Sequence, residues 1–396
     1  MTQVRLDAMP VVAVDSQWIP RRILVIAHAV MIGDDDTFGP AHNVVEHLVE
    51  NGYDVEFVLH PLARGQGSTR VKRFTDGRLV DVRQASWRRL TRVREGLHSA
   101  RRIAGGAFDA LIVVDPLNYA SAFVARRFSR TARITVYMTA DYADRRFANP
   151  IVNAVYHALD RTAIRDAGAV WNVSRRITEL RDAQGVVPAR NFFVPNAPRF
   201  DASRVLPIED RQTDSLVCAG TIDDYLDIDM LVGALAIVKA SRPHVRVTWI
   251  GDGPRSESLR ARALADGVLE NLHLVGYLPH DTALEIMGRS RIGLALYSGS
   301  AVWNEYGDSL KTREYLALGL PIVTTRTHAL VDELERRGAG IVVDSAEHAA
   351  DAIERLLGRD GPEAHRACIE LASENSRDVV LTSALTALEH FGQVRS

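Results

Sequence analysis

The residues best suited to chemistry lie in GDSLKTREYLALGLPIVTT, from Gly307 to Thr325. Ser309 is spaced to cap a helix whose first turn holds Leu310, Lys311 and Thr312, and a strand follows at Pro321. Lys311 would then stand at the positive end of a helix dipole, where a cation is mildly unfavourable unless an anion binds there. Lysine is also scarce: of 48 basic residues only Lys72, Lys239 and Lys311 are lysine. A bound diphosphate would make Lys311 its counter-charge. Glu314, one turn on and on the same face, would then accept hydrogen bonds from the hydroxyls of a ribose. The plainer reading is a solvated Lys–Glu pair at i,i+3, worth roughly 0.2–0.5 kcal/mol.

Other loops carry reactive residue types. WIGDGP sets Gly251 and Gly253 directly after a strand, with Pro254 suited to the first turn of a helix. That spacing fits close approach of a ligand to backbone, and equally a tight turn. Neither the G-x-G-x-x-G nor the G-x-x-x-x-G-K-[ST] pattern occurs. In YMTADYADR, Asp141 follows a strand beside Tyr142 and Asp144; such an acid can take a proton from a hydroxyl nucleophile, or simply cap a helix. IAHAVMIGDDDTFGPAH holds His28, Gly39 and His42, and its Asp34, Asp35 and Asp36 read as Mg²⁺ ligands or as a solvated acidic turn.

These loops need strands and helices to hold them. RILVIA, DVEFVL, DALIVVD and RITVYM are continuous apolar runs of the kind buried in parallel sheets, with GPAHNVVEHLVENG as a helix after the first. Past PNAPRFDASRVLPIEDRQTDS the alternation restarts with SLVCAG, VRVTWIG, NLHLVG, RIGLAL, PIVTT and GIVVD. Two helical stretches, 362–374 and 377–391, close the chain. The pattern is α/β: two doubly wound domains joined by a linker near 197–213. Ligands then belong at the carboxyl ends of the strands, where these loops lie.

Composition narrows the partners. With 396 residues, 46% of them apolar, the chain can bury a large core. Residues 1–200 hold 28 basic against 20 acidic residues, and the remainder 20 against 30, so a net of +8 faces one of −10. Twelve of the basic residues fall in 64–102. Cys218 and Cys368 read as buried free thiols of a reducing compartment. Residues 1–18 carry Arg5, Asp7 and Asp15 and do not form a signal peptide; no apolar run reaches the roughly 20 residues of a membrane span. The expectation is a cytoplasmic protein, with peripheral contact at the inner face of the membrane left open.

Together, IGDGPRSESLRARALADGVLENLHLVGYLPHDTALEIMGRSRIGLALYS and LKTREYLALGLPIVTT resemble the donor half of GT-B glycosyltransferases, glycosyltransferase family 4 above all. The resemblance covers roughly 215–345 and extends to VPNAPRFD; the first half is similar in its pattern of elements. It implies the GT-B architecture, two Rossmann-like domains facing a cleft. Residues 1–200 would form the acceptor side, 201–375 the nucleotide-sugar side, and 376–396 a helix crossing back to the first domain. The implied activity is transfer of a hexosyl group from a nucleotide diphosphate sugar to a hydroxyl acceptor, with retention. That acceptor would be a glycan, a lipid-linked saccharide or a natural product. The nucleotide sugar is a co-substrate, and neither a metal nor a cofactor is expected.

The resemblance assigns Gly220, Gly251, Gly253, Lys311 and Glu314 to the donor. It also has departures. Tyr306 stands eight residues before Glu314, where the family often has an acid, leaving Glu305 and Asp308 as candidates to meet the donor sugar. TIDDYLDID after Gly220 is acidic where a base is usual, so Lys311 would carry the phosphate charge, helped by Arg313. On the acceptor side the candidates are His28, Gly39, Asp141 and Tyr142, with Asp141 as base; in a retaining reaction the departing phosphate oxygen can serve instead. The segment 83–102 reads as an arginine-rich helix with Trp87 and Leu90 among its residues. Members of this fold dock such helices on anionic lipid, and a solvated face is the alternative. No nucleic-acid motif accompanies the charge. Two other functions fit the same features: a non-catalytic nucleotide-sugar binder, and a nucleotide-sugar epimerase.

Overall fold

The computed structural model describes residues 20–394 apart from 33–34, 63–66, 88–90, 129–131 and 300–305. In the first half the strands are β1 (Arg22–Ala29), the two-residue pair β2 (Met31–Ile32) and β3 (Asp35–Asp36), β4 (Asp54–Pro61), β5 (Thr69–Thr75), β6 (Arg78–Ala85), β7 (Ala110–Val114), β8 (Ile134–Thr139), β9 (Ala169–Asn172) and β10 (Asn191–Phe193). Eight of them form one sheet in the order β10-β9-β8-β7-β1-β4-β5-β6. All neighbours are parallel except the returning hairpin of β5 and β6. The central strands are apolar throughout because helices cover both faces. α1 (Pro40–Glu50) lies on one face; α2 (Thr91–Gly105), α3 (Pro116–Ala125) and α4 (Pro150–Asp166) lie on the other. α5 (Arg175–Ala183) completes this half.

The second half repeats the plan. β11 (Ser215–Ala219), β12 (Arg246–Ile250), β13 (Leu272–Gly276), β14 (Ile292–Ala295), β15 (Ile322–Thr325) and β16 (Gly340–Val343) form an all-parallel sheet ordered β13-β12-β11-β14-β15-β16. α6 (Ile228–Ser241), α7 (Ser256–Ala265) and α11 (Ala346–Leu357) pack on one face. On the other lie α8 (His280–Gly288), α9 (Leu310–Ala317), α10 (Val331–Arg337) and α12 (Gly361–Glu374). In each sheet the strand order reverses beside the first strand, between β1 and β7 and between β11 and β14. Those two reversal points are where such sheets open a crevice for ligands.

The last helix, α13 (Arg377–Val394), crosses back to the first half. Its Leu381, Ala384, Leu385 and Leu388 join the core formed by β1, β4 and α1. A buried arginine fixes the crossing: Arg377 reaches Glu46 at 3.0 Å and also Glu50, both on α1, while His47 meets Asp378 at 2.9 Å. The expected two-sheet architecture and crossing helix are therefore present.

Local expectations fared less evenly. The segment from Arg83 is not helical at its start: Arg83, Gln84 and Ala85 end strand β6, and α2 begins at Thr91. The β5–β6 hairpin hides in that basic stretch because it is an edge, with Leu79, Val80 and Val82 exposed. Cys218 and Cys368 are both free and buried. Among the described residues no helix is long and apolar enough to cross a membrane.

Candidate functional site

Between the halves lies a cavity of about 650 Å³. The second half lines it with Cys218, Ala219, Thr221, Asp223, Tyr225, Trp249, Tyr297, Ser309, Lys311 and His328; the first contributes Leu62, Ala140, Asp141, Arg146 and Phe147. The loops after β11, β14 and β8 thus converge.

Ser309 caps α9, its side chain accepting from Thr312 N at 3.3 Å, so Lys311 stands in the first turn. Lys311 makes no ion pair or hydrogen bond among the described residues. Its ammonium instead lies against the Cα of Gly220, where any Cβ would collide with Nζ, and Gly220 has a φ of +131°. Gly251, also at φ +131°, has its Cα against the Gly220 carbonyl, and Gly253 meets the backbone of Ile222 in the same way. The three glycines therefore lock two loops together, and Lys311 rests on the result. Trp249 Nε1 donates to Gly220 O at 2.9 Å, and Ala219 N donates to the Tyr315 hydroxyl at 2.8 Å, fixing the loop further. Gly251 and Gly253 themselves are not on the cavity wall; the close approach they permit is between backbones.

Two positions later on α9 the chemistry is different. Arg313 is buried and its Nε donates to Asp308 Oδ2 at 2.6 Å, the same oxygen that accepts from Asn196 N at 2.7 Å. Asn196 Nδ2 also donates to the Asp308 carbonyl at 2.8 Å. The Asp308 carboxylate thus ties the linker to α9 while Asp308 lines the cavity, and Arg313, buried and off the cavity wall, is not available to phosphate, which corrects the expectation for Arg313. Glu305 lies outside the described residues.

Glu314 faces a second cavity of about 340 Å³ shared by α1, α8 and α9. There its Oε1 pairs with His280 Nε2 at 2.7 Å, and Phe38 from the first half stacks on the His280 ring, centroids 4.1 Å apart. Burial works against the His280 charge, but the bond to Glu314 outweighs it and raises the pKa.

On the first half's wall Asp141 follows β8 and its Oδ1 accepts from Arg146 at 2.6 Å. Tyr142 does not reach the cavity: its ring is buried against Tyr306, with centroids 5.1 Å apart, and burial beside Asp144 pushes its hydroxyl up to about 12. It lines instead a separate pocket of about 300 Å³ in the first half, with Asp144, His157 and Asp160. Gly39 caps α1 with an extended φ of −161°, and a Cβ there would meet nothing. His28, near the end of β1, is not on the cavity wall. Its Nδ1 bonds Asp115 Oδ2 at 2.8 Å and its Nε2 is 3.9 Å from Glu95. Burial would lower its pKa, yet Asp115 and Glu95 hold it up at about 9. Its neighbour His60, buried between Thr69 and Ser99 hydroxyls, is pushed down to about 3, first by burial and then by the charge on His28.

The acidic turn after β2 is also corrected. Asp36 accepts from His42 at 2.7 Å, Arg70 at 3.0 Å and Lys72 at 2.8 Å, and these donors hold it well below the usual carboxylate range despite burial. A carboxylate so surrounded by cations pins the loop to β5 and is no metal ligand. Asp34 lies outside the described residues. No cluster of metal-binding side chains occurs among the described residues. In the basic segment, Arg88 and Arg89 also lie outside them. Arg92 is committed to Pro61 O at 2.8 Å and to Glu95 at 3.0 Å, while Arg94 is exposed.

Sequence reasoning passed over Arg146, His280, Asp115 and His328. Arg146 directly follows the stretch YMTADYADR, which ends at Arg145, and His280 begins a helix after Pro279. Asp115 follows β7 and caps α3 at φ +70°, a conformation uncommon for a non-glycine residue and invisible in the sequence. His328 is buried on the cavity wall and kept neutral at about 3 by burial and nearby Arg313; its Nδ1 has no partner among the described residues.

Comparison with known proteins follows the same division. Residues 213–359 match "Glycosyl transferases group 1" and residues 41–197 match "Glycosyl transferase 4-like domain". No curated protein sequence matches. Among solved structures, the chain resembles the α,α-trehalose 6-phosphate synthase of Burkholderia multivorans at 14% identity, with 96% of this chain and 98% of that one covered and a TM-score of 0.67. Anabaena Alr3699/HepE, solved in complex with UDP, gives 14% identity, 93% and 100% coverage, and 0.66. WaaG, a glycosyltransferase involved in lipopolysaccharide biosynthesis, gives 14%, 92% and 98%, and 0.64.

Proposed function

Since the chain belongs to the GT-B glycosyltransferases, we propose that it moves a sugar from a nucleotide diphosphate sugar to a hydroxyl acceptor with retention at the anomeric carbon. The observation that carries this reading is Lys311: a scarce lysine, without a partner among the described residues, at the capped start of α9 and over the Gly220 turn. The diphosphate would lie along Gly220 and the first turn of α9, with Lys311 as counter-charge. In the transfer the bond from C1 to the phosphate oxygen breaks and its electrons stay with the diphosphate. The acceptor oxygen bonds to C1 on the same face, and its proton passes to the departing phosphate oxygen. Lys311 stabilises the charge that gathers there, an interaction stronger in the transition state than in the bound donor. Glu314 would hold the ribose, which requires it to part from His280. UDP in the Anabaena structure makes uridine diphosphate the first nucleotide to try.

Membrane contact is a finer part of the same reading. α2, α3 and α4 lie side by side and expose Val93, Leu97, Phe123, Val124 and Ile151, with Phe128 just beyond α3. Arginines such as Arg94, Arg101 and Arg127 are exposed among them or nearby. This favours a peripheral protein acting on a lipid-linked acceptor. Incubation with UDP-, GDP-, ADP- and dTDP-sugars and a mixed acceptor panel tests the function. Free nucleoside diphosphate with a new glycoside supports transfer; an isomerised nucleotide sugar would mark an epimerase, and binding without turnover would leave only a binder.

A further inference from the structure

Among the described residues the second half brings one cation, Lys311, to the cavity, and the loop after Gly220 adds Asp223 instead of a base. A sugar diphosphate carries charge on both phosphates and gains more as the glycosidic bond breaks, so one lysine leaves it under-neutralised. The other cation on the cavity wall among the described residues comes from the opposite half. Arg146 lines the cavity with about a quarter of its side chain exposed, and its position is built. One terminal nitrogen donates to Asp141 Oδ1 at 2.6 Å, and the guanidinium lies 5.3 Å from the centre of the Tyr156 ring. Asn153 Oδ1 accepts from the backbone N–H groups of Arg146 and Phe147 at 2.9 and 3.2 Å. Its other guanidinium N–H groups make no hydrogen bond among the described residues.

We infer that Arg146 is the second diphosphate cation, supplied across the cleft from the acceptor-side half and held in place by Asp141. A planar guanidinium suits two phosphate oxygens at once. This rests on the glycosyltransferase reading and adds a consequence to it: donor affinity depends on both halves, so the diphosphate itself draws the cleft together. Asp141 becomes a positioning residue for Arg146, in place of a base.

Isothermal titration with UDP, GDP, ADP and dTDP, and with each corresponding monophosphate, tests the inference without an acceptor present. Arg146→Gln should weaken binding of the preferred diphosphate at least about tenfold while changing monophosphate affinity less than about threefold, and Arg146→Lys should fall between. The double variant Asp141→Asn/Arg146→Gln should keep the deficit, which excludes mere repulsion from an unpaired Asp141. Diphosphate affinity unchanged in Arg146→Gln and Arg146→Lys, with Lys311→Ala impaired, overturns the inference alone. A raised KM for acceptor with unaltered diphosphate affinity would overturn it too, placing Arg146 on an acceptor anion. Wild-type protein that binds none of the four diphosphates would overturn both this inference and the proposed function.

Discussion

In the second half, the Lys311 ammonium rests on the Cα of Gly220 and Gly251 rests on the Gly220 carbonyl, both contacts made on backbone. Across the cleft, Arg146 is held by Asp141, and His28 by Asp115, side chain against side chain. The first construction needs glycine at fixed places and leaves one cation uncommitted. The second is assembled from charged pairs, Arg146 with Asp141 five residues before it and His28 with Asp115 much further along the chain. Lys311 and Arg313 show the same contrast two residues apart on one helix: one faces the cavity, the other is buried against Asp308.

The sharpest way to break this contrast is to treat the two cations of α9 alike. Arg313→Ala leaves Asp308 buried and charged without its partner, and should cost about 3 kcal/mol or more in a urea titration. A loss under about 1 kcal/mol would mean that Asp308 is less committed than its contacts indicate. Next in size is Gly251→Ala, which forces a Cβ onto the Gly220 carbonyl at a φ of +131°. It should destabilise by about 2–3 kcal/mol and weaken nucleotide binding as well. Stability at the wild-type level would show that the loops can separate freely.

The first half is tested by pH. Because His28 is held at about 9, above its unfolded value, its contribution is complete below about pH 6.5 and is lost as pH rises through 9. The stability difference between wild type and His28→Asn should therefore shrink between pH 7 and 10; a difference flat over that range would contradict the charged His28–Asp115 pair. A smaller effect is expected at Glu314. On the proposed reading nucleotide releases Glu314 from His280, whose pKa is raised, so affinity should climb as pH rises through that value. His280→Ala should flatten the climb; an equal slope in both proteins would separate Glu314 from the nucleotide.

The same contrast explains what the sequence could convey. Apolar runs such as ALIVV and the glycine turns reflect local demands, burial on two faces and positive φ, so the two-sheet fold and the Ser309 cap were legible. The hairpin of β5 and β6 was not, because an exposed edge strand carries no apolar alternation. Pairs such as Arg146–Asp141, His280–Glu314 and Arg313–Asp308 leave no local signature: each is an ordinary charged residue until folding chooses its partner. Burial took Arg313 out of the role its position suggested for the same reason.

The account turns on Lys311, and one comparison tests it most directly: turnover and nucleotide-free melting of Lys311→Ala against wild type. Turnover should fall at least about tenfold, equivalent to about 1.4 kcal/mol of transition-state stabilisation. Melting should be unchanged or slightly later, since a cation leaves the positive end of a helix. A variant that melts clearly earlier and keeps full turnover would make Lys311 a structural residue and contradict the account.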